Sequence, residues 1–346
     1  MAAIDQLKDL EQRVIIGPAR GEWFHLAEPD TKFNAAGDYK VTLRPTADAM
    51  APHFESMKEI LAAAMPIFQE VETTKRIAAE LDKLGIPYEI NTEKNTGLVA
   101  TIQGGKPGKT ITLRADIDAL PVTELTDADF KSKNPGCMHA CGHDGHTSIL
   151  LGFTEYIKEF KPKKNLLLIF QPAEEGPGGA QYIVEQKILE KYNVKGIFGL
   201  HLFPSLKEGV IGTKPGAFMA HTTEIDIVIR GKSGHGAMPH TTIDTVLITA
   251  KLIEAYQSIV SRNVSPLDNA VLTFGKIEGG SARNIIAETV RIEGTCRTFS
   301  KDLARLMRER MESIHAGFEK AFGVEITSDF RPMYPPVVNS SELYER

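Results

Sequence analysis

The sequence predicts an α/β protein with two structural units. From about Met57 onward, short apolar runs alternate with helical periods, which is typical of a mainly parallel sheet covered by helices. From about Thr222 the order of predicted elements becomes β-α-β-β-α-β, the order of a ferredoxin-like domain. The chain has no internal repeats and no low-complexity linker. We therefore expect four segments, at residues 1–56, 57–221, 222–330 and 331–346.

The first segment, residues 1–56, differs in composition from the rest. It contains the only tryptophan, Trp23, a cluster of turn-forming residues and an alternating stretch, Tyr39–Leu43, that predicts a strand. It is therefore predicted to be β-rich, and it weakly resembles the opening of phage single-stranded-DNA-binding OB proteins. Six Lys and Arg residues stand against nine Asp and Glu residues, and the segment is too short for a closed barrel. We therefore expect no nucleic-acid partner.

The next two segments supply the elements of the two units. The predicted strands of residues 57–221 are Gly97–Gln103, Thr110–Ala115, Asn165–Phe170 and Gly196–Leu202, and the predicted helices are Val71–Leu84, His146–Glu159 and Gly179–Leu189. The predicted strands of residues 222–330 are Glu224–Arg230, Ala270–Ile277, Thr289–Thr298 and Val324–Asp329, and the predicted helices are Ile243–Val260 and Asp302–Phe322.

Composition excludes several classes of protein. The 346 residues are 42% hydrophobic and 25% charged, and the formal net charge of −5 provides no general field for polyanions or anionic lipid. Three cysteines are too few for a disulfide framework. The first residues lack the apolar core of a signal peptide, and no run of about 18 apolar residues occurs. We therefore expect a cytoplasmic protein with no membrane partner.

The densest group of metal-ligating residue types is Met138–His146. Three His residues, one Cys and one Asp lie within these nine residues, and two glycines permit tight turns. A structural zinc loop or an exposed polar loop is the alternative. A cytidine-deaminase zinc site is disfavoured, because the two cysteines, Cys137 and Cys141, are not spaced as Cys-x-x-Cys.

A pair of adjacent carboxylates, Glu174 and Glu175, follows the apolar run Asn165–Phe170. Open α/β sheets bind their ligands at the carboxyl ends of strands. Two like charges there are costly unless they share a cation or a proton, so one can bind metal while the other, with a raised pKa, acts as a base. The alternative is a solvated acidic turn at a helix N-terminus. The glycine-rich residues that follow lack the spacing and the Lys of a P-loop.

Two further strand ends carry polar residues. Asp116 and Asp118 lie on one side of the chain by period-two alternation, and His201 lies in the last predicted strand of the unit. A single strand-end His is more often a structural, hydrogen-bonded residue than a ligand. The occurrence of such residues at four successive strand ends nevertheless predicts one shared site.

Seven motifs, in their order along the chain, resemble the N-acyl-amino-acid amidohydrolase family of the two-metal aminoacylase and carboxypeptidase superfamily. This family includes hippurate hydrolases, indole-3-acetyl-amino-acid hydrolases and N-acetyldiaminopimelate deacetylases. The resemblance covers residues from about 67 to 346. The motifs are RADIDALP, MHACGHDGHTSILLG, QPAEEGPGGA, GLHLFP, GKSGHGAMPH, ARNIIAETV and GTCRTF.

The resemblance implies a role for each candidate site residue. Two divalent ions (Zn, Mn, Co or Ni) would be held by Cys141, His143, Glu175 and His201. Glu174 would be the general base, and Asp118 is grouped with the catalytic residues. His235 would reach a neighbouring subunit's site to stabilise an oxyanion, and Asn284 and Arg297 would hold the substrate carboxylate. Without the resemblance, His235 and His240 fit an ordinary polar turn, and Arg297 fits a solvated strand charge equally well.

The predicted function is metal-dependent hydrolysis of the amide bond of N-acyl-amino acids, by a homodimer or larger oligomer joined through a ferredoxin-like lid. The alternatives are a dipeptidase or carboxypeptidase of the same superfamily and an inactive metal-binding remnant. The family also has a metal-ligating His near its C-terminus, whereas the last His before Arg346 is His315, within a predicted lid helix. Residues 331–346 resemble the start of a return to the catalytic domain. We therefore expect an incomplete second site, nearer one ion per chain than two, and marginal stability.

Overall fold

The computed structural model describes residues 24–26, 43–45, 62, 64–66, 69–90, 96–105, 108–159, 162–176, 178–207 and 210–345. The chain divides into two compact units, Met1–Gly212 together with Arg346, and Thr213–Glu345. Most of the predicted strand Tyr39–Leu43 lies outside the described residues; Leu43 itself begins a short strand. None of the helices in the described part of the chain combines the length and the hydropathy that a membrane-spanning helix needs.

The first unit contains strands and helices that alternate along the chain. Its strands are β1 (Phe24–Leu26), β2 (Leu43–Pro45), β3 (Tyr88–Ile90), β4 (Leu98–Ile102), β5 (Thr110–Asp116), β6 (Asn165–Gln171) and β7 (Val194–Gly199). Its helices are α1 (Val71–Leu84), α2 (His143–Glu159), α3 (Gly179–Glu185) and α4 (Ile188–Lys191). The predicted helix Gly179–Leu189 is therefore two short helices, and β3 was not predicted.

The main sheet of the first unit is mixed, which corrects the prediction of a mainly parallel sheet. Its strand order is β3-β4-β6-β5-β7. The pairs β5–β6 and β5–β7 are parallel, whereas β3–β4 and β4–β6 are antiparallel. The chain between β3 and β4 spans only residues 91–97, and a parallel crossover needs a dozen or more residues. The short connection therefore requires the antiparallel pairing.

Helices cover both faces of this sheet. On one face, Ile77 and Leu81 of α1 pack with Leu150 of α2 against Leu168 and Phe170 of β6. On the other face, the alternate β6 residues Leu167 and Ile169 pack with Ile188 of α4. Because β6 is buried on both faces, its sequence is a continuous apolar run. The carboxyl end of β6 therefore belongs to a strand that is packed on both faces.

The second unit contains the elements β8 (Gly216–Met219), β9 (His221–Arg230), β10 (Gly234–His235), a 3-10 helix (Pro239–Thr241), α5 (Thr245–Arg262), β11 (Ala270–Gly279), β12 (Ile285–Ile286), β13 (Thr289–Thr298), α6 (Lys301–Phe322), β14 (Glu325–Pro332), β15 (Val337–Asn339) and α7 (Ser341–Tyr344). Four of its strands form an antiparallel sheet with the order β11-β13-β9-β14. The helices α5 and α6, which follow β9 and β13 along the chain, pack on Ile225, Ile227 and Ile229 of β9. The pairs β8–β15 and β10–β12 form two small additional sheets, which were not predicted.

Candidate metal centre

Four segments of the first unit bring their polar residues to one place. Asp116 ends β5 and Asp118 follows it; Glu174 and Glu175 follow β6. His143 is the first residue of α2, three residues earlier than the predicted helix start. The preceding residue, Gly142, has a φ of 81°, a left-handed conformation that glycine adopts without strain.

His201 lies in the loop after β7, whereas the predicted strand extended to Leu202. The strand ends at Gly199, and the burial of β7 alternates between half-buried and exposed residues. Within the described sheet β7 stands last in the order and pairs only with β5. The prediction of a strand reaching Leu202 is therefore wrong, although the strand does lead directly to His201.

His143 is the common member of three groups that could hold a metal ion. The donor atoms within each group all lie within 4.8 Å of one another; the groups are Cys141, His143 and His201; Asp116, His143 and His146; and His143, Glu174 and Glu175. Cys141 Sγ lies 3.4 Å from His201 Nε2. His143 Nε2 lies 3.9 Å from an oxygen of each of the two glutamates. The structure thus gathers the four predicted ligands and the predicted base.

Asp118 orients both His143 and Glu175. His143 Nδ1 lies 3.0 Å from the Asp118 carbonyl oxygen and 3.2 Å from Asp118 Oδ1, so Nδ1–H donates there and Nε2 faces the carboxylates. The second oxygen, Asp118 Oδ2, accepts a hydrogen bond of 2.9 Å from the Glu175 backbone N–H. Burial opposes ionisation of this carboxyl, but these hydrogen bonds hold the pKa of Asp118 below its usual range. Such a carboxylate–histidine pair is how proteins commonly fix a metal-ligating imidazole.

The cluster fits a divalent cation. His143 Nε2 is buried and has no hydrogen-bond partner among the described residues, although three carboxylates lie within 4 Å of it. A buried polar atom without a partner is costly, and a cation would satisfy it. The surrounding donors are a thiol, imidazoles and carboxylates, a set that suits borderline metals such as zinc or cobalt.

Glu174 and Glu175 differ in their surroundings. Burial first, and then the negative charge of Glu175, raise the pKa of Glu174. Its side chain remains 38% exposed, against 24% for Glu175. Glu174 is therefore the more exposed carboxylate of the pair, and its pKa is raised above that of an ordinary glutamate, as suits a general base.

His146 belongs to the same motif and could have been mistaken for a ligand, but both of its nitrogens are already engaged. Its Nδ1 lies 2.5 Å from Asp116 Oδ1, and its Nε2 accepts a hydrogen bond of 2.8 Å from the Leu202 backbone N–H. Arg114 Nη1 in turn lies 2.6 Å from Asp116 Oδ2. His146 therefore anchors the loop beside His201 rather than offering a free lone pair, and the sequence contained no signal for this role.

We expect metal binding to be steeply pH-dependent. Burial disfavours the charged imidazole, but the Asp118 hydrogen bond and the Asp116 charge raise the pKa of His143 to about 9. Burial, and then the hydrogen bond and charge of Glu175, raise the pKa of Cys141 to about 12. Both protons must leave before a cation binds, so affinity should rise roughly a hundredfold per pH unit between about pH 6 and 8.

Calorimetric titration of the metal-free protein with Zn²⁺, in buffers of different ionisation enthalpy, counts the released protons. About two should be released by the wild type and about one by Cys141→Ala. An affinity that does not change with pH would contradict this assignment of the two ligands.

The three remaining predicted site residues lie in the second unit. His235 is exposed in β10, where it pairs with Ile285 of β12, and its Nδ1 accepts a hydrogen bond of 3.0 Å from the Ala237 N–H. Asn284 is adjacent, because its carbonyl oxygen accepts a hydrogen bond of 2.8 Å from the Gly236 N–H. Arg297 lies on β13 in the larger sheet and donates a hydrogen bond to Thr222 Oγ1. The structure therefore brings His235 and Asn284 together, and it places Arg297 on a separate sheet.

Comparison with known proteins gives a consistent result. Residues 112–346 match the model of peptidase family M20/M25/M40. N-acetyldiaminopimelate deacetylase of Priestia megaterium is 46% identical over 277 residues, which cover 80% of this chain and 74% of that protein. The enzyme of the same name from Bacillus cytotoxicus is 43% identical over 277 residues, 80% of this chain and 73% of that protein.

Solved structures agree with these relatives. The YXEP protein of Bacillus subtilis, a dinuclear metal binding peptidase from the M20 family, is 33% identical with a TM-score of 0.71, covering 84% of this chain and 76% of that one. A protein of methicillin resistant Staphylococcus aureus is also 33% identical, with a TM-score of 0.80, covering 86% of this chain and 80% of that one. The chain therefore belongs to peptidase family M20/M25/M40 and is a hydrolytic enzyme.

Proposed function

We propose that this enzyme hydrolyses the amide bond of N-acyl-amino acids and uses divalent metal ions to do so. The observation that carries the proposal is the set of sulfur, nitrogen and carboxylate donors around His143 Nε2, with Glu174 beside it. The relatives add support, since two of them are named for removing an N-acetyl group from diaminopimelate and one as a dinuclear metal binding peptidase.

The ions would be held by Cys141, His143, Glu175 and His201. When bound, divalent ions lower the pKa of a coordinated water and polarise the carbonyl of the amide. Asp118 keeps His143 and Glu175 in place for this purpose through its three hydrogen bonds. His146 keeps the chain beside His201 in place through Leu202.

Glu174 would transfer the proton of the reaction. Its carboxylate accepts a proton from the attacking water as the water oxygen bonds to the amide carbon. The same carboxyl then gives that proton to the departing nitrogen as the carbon–nitrogen bond breaks, so an amine and a carboxylic acid form; at neutral pH the acid loses its proton and the amine takes one up. The raised pKa of Glu174 suits both halves of this transfer.

The second unit would act as a ferredoxin-like lid and as the surface for self-association. Its β-α-β-β-α-β order and antiparallel sheet support this description. The strands β11 and β14 stand at the two ends of the described order, and such edges can pair between identical chains. Arg297 and Asn284 would bind the substrate carboxylate, and His235 would stabilise the oxyanion in the partner's site.

A mixing experiment tests the role of His235 across subunits. Each of His235→Ala and Glu174→Gln should be nearly inactive alone. Random reassociation of equal amounts should restore about a quarter of wild-type activity, because half of the dimers would be mixed and each would contain one intact site. A failure of complementation between stable dimers, or full activity of a protein that light scattering shows to be monomeric, would remove this role.

The reaction itself is tested with a substrate panel. Purified protein is incubated with Mn²⁺, Zn²⁺ or Co²⁺ and with N-acetyl, N-benzoyl and indoleacetyl amino acids, including N-acetyldiaminopimelate, and the free amine is measured. Dipeptides and peptides with a free C-terminus are run in parallel. The proposal predicts release of amine from at least one N-acyl-amino acid. Turnover of peptides alone would favour a peptidase, and metal binding without any turnover would contradict the proposal.

A further inference from the structure

The turn that carries Glu174 and Glu175 contains an unusual backbone conformation. Ala173, the residue immediately before them, has a φ of 51° and is completely buried. Residues with a Cβ adopt this left-handed region rarely and only when their surroundings impose it. The conformation of Ala173 sets the direction in which the chain leaves β6. It therefore controls where both carboxylates lie.

A distant acidic residue holds Ala173 in this conformation. Glu70 Oε1 accepts a hydrogen bond of 2.9 Å from the Ala173 backbone N–H, across 103 positions in the sequence. The Glu70 side chain is completely buried, with a relative exposure of 0%. Burying a carboxylate is costly unless hydrogen bonds compensate it, so its position at this particular amide indicates a specific role.

Glu70 is itself held rigidly. Its carbonyl oxygen accepts hydrogen bonds from both the N–H (2.9 Å) and the Oγ1 (2.7 Å) of Thr74, in the first turn of α1. Thr74 Oγ1 in turn accepts a hydrogen bond of 2.8 Å from the Gly97 N–H, just before β4. The acceptor for Ala173 is thus tied to a helix and to the sheet.

The other side of the turn is closed just as tightly. The Ala173 carbonyl oxygen accepts a hydrogen bond of 3.1 Å from the Gly179 N–H. A Cβ added to Gly179 would lie 1.7 Å from the Pro172 carbonyl oxygen, so only glycine permits this approach. Both peptide groups of Ala173 are therefore fixed, and the Glu70 bond is the one supplied by a side chain.

We propose that Glu70 is a positioning residue for the Glu174–Glu175 pair, acting through the Ala173 amide. The proposal rests on the proposed function, because it assigns Glu70 to the placement of the general base and a metal ligand. Glu70 would contact neither substrate nor metal. Its loss should displace the two carboxylates and lower turnover and metal affinity together.

Two conservative substitutions separate position from charge. E70Q keeps an oxygen within reach of the Ala173 N–H and removes the charge, whereas E70D keeps the charge and withdraws the oxygen by one methylene. If Glu70 acts by positioning the turn, the kcat of E70Q should stay within about threefold of wild type. The kcat of E70D should fall about tenfold or more, with little change in KM. Titration of the metal-free proteins with Co²⁺, followed by its visible absorption, should show about tenfold weaker binding for E70D only.

Thermal unfolding of the metal-free variants establishes that each is folded. Folded E70D with wild-type kcat and Co²⁺ affinity would overturn the proposal. A tenfold or greater fall in the kcat of folded E70Q would also overturn the proposal. This measurement tests the proposal even if E70D does not fold. If the wild type hydrolyses no amide in the panel, the proposed function fails, but the Co²⁺ titration still tests the role of Glu70 on its own.

Discussion

Replacement of Glu174 by Gln should lower kcat about a thousandfold while leaving bound metal unchanged. The amide has nearly the shape of the carboxylate, so the neighbouring backbone and Glu175 need not move. It cannot, however, accept the proton of the attacking water. Because Glu174 is the more exposed carboxylate of the pair, its loss removes a proton acceptor without opening the buried part of the site. Steady-state kinetics and metal analysis of the purified variant give both numbers.

The matched control is Glu175→Gln. Both glutamates lie 3.9 Å from His143 Nε2 and are adjacent in the chain, so the two variants make the same chemical change at nearly the same place. The Glu175 variant should lose metal affinity, and excess metal should restore part of its activity. If Glu174→Gln lost metal and Glu175→Gln did not, the two roles would have to be exchanged. If both variants kept wild-type activity, neither role would stand.

Replacement of Cys141 by Ala should weaken metal binding by more than about a hundredfold. The thiol lies 3.4 Å from His201 Nε2 and in one group with His143, so its removal takes the only sulfur donor from that group. Cys137→Ala is the control, because Cys137 is buried against Ala64 and Ala119 and belongs to none of the three ligand groups. Equilibrium dialysis against a metal buffer measures both variants. Equal affinities for the two would exclude Cys141 as a ligand.

Long elements with a clear period could be predicted from the sequence. The predicted bounds of α1 at Val71–Leu84 and of β13 at Thr289–Thr298 are those of the structure. Buried residues recur every three to four positions in α1 and at every second position near both ends of β13, so the local pattern carries the information. The strands β3, β8, β10, β12 and β15 were missed because each has only two to four residues, too few for any period. The antiparallel half of the sheet was missed because strand direction depends on chain connections rather than on composition.

The candidate site could be predicted in part for a related reason. Residues that follow the strands of one sheet lie close together, so Glu174, Glu175 and His201 could be grouped from their places in the chain. The residues that hold these side chains in place could not be predicted from the sequence. His146 reaches Leu202 across 56 positions, and Glu70 reaches Ala173 across 103. Such hydrogen bonds depend on tertiary packing and leave no local pattern.

Metal dependence of amide hydrolysis is the most direct test of the account. The metal-free enzyme is prepared with a chelator, and free amine released from the best N-acyl-amino acid of the panel is measured as Mn²⁺, Co²⁺ or Zn²⁺ is added back. Turnover should be absent without metal and should rise in proportion to the ion bound, with Glu174→Gln binding the same ion and remaining inactive. Full turnover by the metal-free enzyme, or wild-type turnover by Glu174→Gln, would contradict the assignment of this cluster as the catalytic centre.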